Sequence, residues 1–184
     1  MDSSAGMRRV DYEDQQLGAP ADYLRGEWAE RDWRNVPGPF YCAGTDNCLT
    51  GRTIAPEHVI YEDDHYPEVV YCQPRNPHEV RLVLSAAYDD PYSGYSCDGD
   101  EHWTLHLVRE WWSQRHRLLA WIDTACRNAF SGTDPTDLDA AAGLCDYAKY
   151  VTGGLETDLR EYGFWLERRR APEPHEALPA IAQP

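Results

Sequence analysis

The apolar positions of the C-terminal half fall on a helical period. Leu105, Val108, Trp112, Leu119, Ile122, Cys126 and Ala129 follow one another in steps that fit one helix face, with only Arg115 interrupting the stripe, which predicts a helix starting at Thr104. After the connector Ser131-Gly132-Thr133-Asp134-Pro135-Thr136, a second stripe runs through Leu138, Ala141, Cys145, Ala148, Thr152, Leu155, Leu159, Tyr162 and Leu166. Its phase continues through Gly153-Gly154, so the stretch reads either as one long helix kinked at that pair or as two helices sharing a buried face. A short connector between two long amphipathic stretches predicts an antiparallel helical hairpin.

The N-terminal half carries different signals. His58-Val59-Ile60-Tyr61 and Glu68-Val69-Val70-Tyr71-Cys72 are rich in β-branched and aromatic residues and flank a short acidic turn, which predicts an antiparallel β-hairpin. Asn76-Pro77-His78-Glu79 opens a helix: Asn caps, Pro sits where no donor is lost, and Glu79 reaches back. Val80, Val83, Leu84 and Ala87 would be its buried face, and it should end near Asp89-Asp90-Pro91. Tyr23, Leu24 and Trp28 suggest a first helix after Pro20, stopped by Asn35-Val36-Pro37-Gly38-Pro39, with irregular chain and short extended pieces from Phe40 to Ile54. Residues 1–18 read as a loose arm, 19–170 as a single globular domain, and 171–184 as a Pro- and Ala-rich flexible tail. The expected class is mostly helical α+β: a small antiparallel β-hairpin with a long antiparallel helical hairpin.

Charge adds a constraint on function. The chain of 184 residues has 32 Asp+Glu against 17 Lys+Arg, a net charge of -15. Twelve of the acids lie between residues 36 and 103, where the only cations are Arg52, Arg75 and Arg81. Nucleic-acid affinity is carried by clustered cations, so direct DNA or RNA binding is disfavoured. Seven Trp, twelve Tyr and three Phe supply the large rings that a packed interior needs. There is no apolar run long enough to span a membrane and no apolar stretch of signal-peptide type in the first 18 residues, so a cytoplasmic chain with reduced thiols is expected.

Chemistry-bearing clusters are few. Asp98, Asp100, His102 and His106 are the densest set of metal-ligand types, and a divalent metal is their functional reading. Their spacing matches neither an EF-hand loop nor His-Glu-x-x-His, and carboxylates preceding a helix at Thr104 are simply favourable to its dipole, so no cofactor is expected. Cys42 and Cys48 are the one close cysteine pair, a candidate redox couple, although buried free thiols are the simpler account. Cys126 and Cys145 fall on the helix stripes and read as core. No G-x-S-x-G, P-loop or dinucleotide fingerprint occurs, which leans against an enzyme. Tyr92, Tyr95 and Trp103 belong to an aromatic interval of the kind found where one side is buried and the other wet.

The runs Asn35-Val36-Pro37-Gly38-Pro39-Phe40-Tyr41, Thr45-Asp46-x-Cys48-x-Thr50-Gly51 and Gly94-Tyr95-x-x-Asp98-Gly99-Asp100-x-His102-Trp103-Thr104 resemble those of small uncharacterised actinobacterial proteins. The resemblance covers about residues 34 to 166. Some of those proteins are labelled ferredoxin, but neither C-x₂-C-x₂-C nor C-x₄-C-x₂-C occurs here. The resemblance implies no activity, and its motifs mark only where a site would lie. The expectation is therefore a non-catalytic acidic protein that binds a basic protein partner, in the manner of an immunity protein or inhibitor, through Glu62, Asp63, Asp64, Tyr92, Tyr95 and Trp103. The competing expectation is a small metal- or cofactor-dependent protein or enzyme built on the Asp98 to His106 cluster.

Overall fold

The computed structural model describes residues 17–45, 49–62 and 67–182. These residues form seven α-helices and two separate two-stranded antiparallel pairs, the mostly helical α+β architecture that the patterning predicts. The expected hairpin is present as β2 (Val59–Ile60) and β3 (Val69–Val70), with Val59 opposite Val70 and Ile60 opposite Val69. Side chains alternate across a strand, so the two pairs face opposite ways. Ile60 and Val69 enter a large core with the C-terminal helices, while Val59 and Val70 enter a second core with Tyr23, Phe40, Tyr95 and the helix α2 (Pro77–Asp89). The hairpin lies between the two cores, which is why it is apolar on both faces.

Helix α2 has the predicted start: the Asn76 side chain accepts from the amides of His78 and Glu79. A second strand pair joins β1 (Tyr41–Cys42), in the stretch expected to hold short extended pieces, to β4 (Tyr95–Ser96), and the short helices α1 (Thr50–Ile54) and α3 (Gly99–His102) complete this half. The first helix expected after Pro20 does not form. Residues Pro20–Asp22 and Trp28–Glu30 make single 3₁₀ turns, and between them Leu24 bridges Gly94. Gly26 lies against the Gly94 backbone so closely that a Cβ would stand 2.5 Å from the Gly94 carbonyl oxygen. Pairing with this loop outweighs the weak helical period of the segment.

The C-terminal half is α4 (Leu105–Ser113), α5 (Arg115–Ser131), α6 (Pro135–Thr152) and α7 (Leu155–Arg168). Thr104 caps α4, accepting from the Leu107 amide, and Asp134 caps α6. The glycine pair separates two helices rather than kinking one. The break at Gln114 also shifts the register: Leu118 and Ala125 are buried in α5, whereas Leu119 and Cys126 are only partly so. Likewise α6 buries Leu144, Tyr147 and Val151, leaving Cys145 and Ala148 half-buried and Leu138 exposed. Among the described residues, no helix is long and apolar enough to cross a membrane.

The tail expected to be flexible is docked instead. Ile181 is 1% exposed within the large core, and the carbonyls of Leu178, Pro179 and Ala180 accept from Arg160 and Arg109. Arg170 pairs with Glu176 to fix the turn that leads back to the domain. An isoleucine and three carbonyl acceptors hold a segment whose composition alone suggests disorder.

A candidate binding cleft of aromatic rings and carboxylates

A cleft of about 390 Å³ opens between the Pro37-Gly38-Pro39 loop, the Gln73–Arg75 segment and α6–α7. Its loop wall is held by Gln73, whose side-chain amide donates to the carbonyls of Val36 and Phe40 and whose oxygen accepts from the Phe40 amide. That three-bond brace makes a Pro-rich loop into a fixed surface. Gly99, at the start of α3, packs its bare Cα on the Gly38 and Pro39 carbonyls and receives no room for a side chain. The floor is Leu155 and Leu159.

The polar groups of the cleft come in two phenol and carboxylate sets. Tyr162 donates to Asp100 Oδ1 at 2.8 Å, and its ring stacks on Trp165 with 8° between planes. Tyr150 donates to Asp158 Oδ2, which also takes Arg75 Nη2. Burial raises the Asp100 pKa above the ordinary carboxylate value, against the opposing pull of the Tyr162 hydrogen bond and the Arg169 charge. Burial, with the neighbouring Asp100 charge, likewise keeps the Tyr162 phenol protonated. Arg169 places its guanidinium 4.7 Å from the Trp165 ring centroid, so one aromatic face of the site already accepts a cation. Glu161 adds a further, exposed carboxylate at the rim.

The predicted metal cluster separates. Asp98 accepts from Tyr41, Ser96 and His102, and these bonds outweigh the effect of burial and hold its carboxyl below the ordinary value. His102 is further occupied by stacking on Trp28 at 4.8 Å. Asp100 turns instead into the cleft, and His106, with its side chain 72% exposed, faces Glu110. Among the described residues no three His, Cys, Asp or Glu side chains are grouped to hold a metal ion. The reason is helical geometry: a tight turn at α3 sends alternate acids to different sides.

The predicted partner contacts also divide. Tyr92 is 71% exposed. Tyr95 is fully buried and donates at 2.6 Å to Glu68, and Trp103 is buried beneath Trp28 and Arg31, so neither ring is available to a partner. Glu62 is occupied internally, accepting from Trp121 Nε1 at 2.8 Å and pairing with Arg34. Asp63, Asp64 and Cys48 lie outside the described residues. Cys42 is buried, and burial with the nearby Glu68 charge pushes its thiol well up, which suits an inert side chain.

Several acids of the 36 to 103 stretch therefore serve as internal acceptors. Glu68 takes the Gly51 amide and the Tyr95 hydroxyl, and Asp90 takes the amides of Tyr92 and Gly94. Sequence patterning placed Tyr162 on a buried stripe but gave no sign of Tyr150, Asp158, Trp165, Gln73 or Arg75 as site residues, because their common feature is a place around one cavity. Compared with protein-family models, curated proteins and solved structures, the chain matches none.

Proposed function

We propose that this is a non-catalytic acidic protein that binds a basic protein partner, as an inhibitor or immunity protein does, and that the cleft receives an arginine or lysine side chain of that partner. The observation that carries the reading is Asp100, a carboxylate half-buried among Tyr162, Trp165 and Tyr150. Aromatic faces attract a cation and carboxylates give it charge-assisted hydrogen bonds, and the two together recognise a guanidinium or ammonium group. Burial disfavours the charged form of Asp100, and an incoming cation would favour it. The net charge of -15 supports the same reading, since a negative field speeds encounter with a basic surface.

The test is calorimetric titration with a short arginine-containing peptide and the same peptide carrying citrulline, a neutral analogue of arginine. Binding of the arginine peptide should weaken with added salt and fall about tenfold in Asp100→Asn, a loss of about 1.4 kcal/mol. Equal affinity for the two peptides, or no binding of either at low ionic strength, would overturn the assignment.

A further inference from the structure

We propose that Cys126 and Cys145 form a reversible disulfide that staples α5 to α6. Their sulfur atoms lie 3.4 Å apart across the interface between the two helices, and both side chains are half-buried rather than enclosed in the core. A disulfide bond is about 2.05 Å long, so the approach required is small and within reach of side-chain rotation. The helices are joined only by Gly132 to Asp134, which keeps the two cysteines facing each other. The other described thiols are placed differently: Cys42 is buried, the Cys72 thiol is pushed up by burial, and Cys97 is exposed.

Burial and the adjacent Cys145 push the Cys126 thiol up to about 11, with Asp123 one turn away acting in the same direction. Cys145 has Lys149, the one lysine of the chain, a helical turn further on and in electrostatic contact with it, while Asp146 draws on the same ammonium. Either thiol can attack once deprotonated, and the product is the same. With a peroxide as oxidant, the thiolate of one cysteine attacks one peroxide oxygen: an S–O bond forms, the O–O bond breaks, and hydroxide leaves and is protonated to water. The other cysteine then loses its proton and attacks the oxidised sulfur, forming the S–S bond as the S–O bond breaks and a second water departs. Two thiols give up two electrons in all, and the peroxide is reduced to two waters.

The inference is independent of any ligand in the cleft. The full chain, reduced and then treated with equimolar hydrogen peroxide, is alkylated and digested with trypsin without reduction. Cleavage after Arg117, Arg127 and Lys149 puts Cys126 and Cys145 on adjacent peptides. The expected product is those two peptides linked, two hydrogens lighter than their sum, and separated again by dithiothreitol. The staple closes a loop in the unfolded chain, so the oxidised protein should melt about 5 °C or more higher, a shift absent from Cys126→Ser and Cys145→Ser. Alkylation of both thiols after treatment, conversion of either thiol to sulfinic acid without a link, or linkage of either cysteine to a different partner would overturn the pairing. A linked pair with unchanged melting temperature would overturn the stapling.

Discussion

Tyr162 in the last helix donates its hydroxyl to Asp100 Oδ1 at 2.8 Å, joining two residues 62 positions apart. That bond ties α7 to α3, and both residues line the cleft. It also divides two neighbouring acids by environment, for Asp100 is turned inward while Asp98 collects donors nearer the surface.

The two acids should leave opposite marks on the pH dependence of stability. Asp98 has a carboxyl held below its unfolded value, so its contribution is present above that value and is lost as pH falls through the folded one. Asp100 is raised, so its contribution is complete below the unfolded value and is lost as pH rises through the folded one. Urea unfolding should show Asp98→Asn less stable than wild type at about pH 7 and nearly equal at about pH 2. Asp100→Asn should be nearly equal to wild type in acid and more stable than it near neutrality, and the reverse order for the pair would refute these placements.

Tyr95 and Tyr92, three residues apart, should respond very differently to loss of their polar group. Tyr95→Phe removes a 2.6 Å donor from a carboxylate that is itself buried, and leaving Glu68 short of a partner should cost about 1–3 kcal/mol. Tyr92→Phe alters an exposed ring and should stay within about 0.5 kcal/mol of wild type. Chemical denaturation of both variants measures the contrast; similar small losses would mean that the buried network is not as strong as its geometry suggests.

The docked tail is equally open to test. Ile181→Ala removes a side chain enclosed by the large core and should destabilise the domain by about 2–5 kcal/mol. A fall in melting temperature with unchanged helical content at low temperature is the expected result. If the variant melts with wild type, the segment after Pro172 is not part of the folded unit.

Local physics was legible where a signal and its partners lie close together in the chain. Asn76-Pro77 starts α2 and Thr104 starts α4 because a capping side chain and its amide partners lie within three residues of each other. The β2–β3 pair follows from composition in the same way, whereas the stripe through Gly153-Gly154 fits one kinked helix as well as the two that form. The expected buried faces of α5 and α6 hold at Ile122, Ala129 and Ala141, while Leu118 and Ala125 replace Leu119 and Cys126, and Leu144 and Tyr147 replace Cys145 and Ala148, because the break at Gln114 shifts α5 and small residues on α6 tolerate either setting.

By itself, then, the sequence determined the helical class, the caps, the hairpin and a strongly acidic net charge, all of which depend on neighbours in the chain or on composition. Only the tertiary structure decided where those acids point. Glu62 meets Arg34 and Trp121, Glu68 meets Tyr95, and Asp100 meets Tyr162, each across 27 to 62 positions, so much of the charge read as a surface is spent on internal hydrogen bonds. The same holds for Cys126 and Cys145, which are 19 residues apart in sequence and in contact in space. Pairings of this kind depend on how whole helices and loops pack, and no pattern of adjacent residues encodes them.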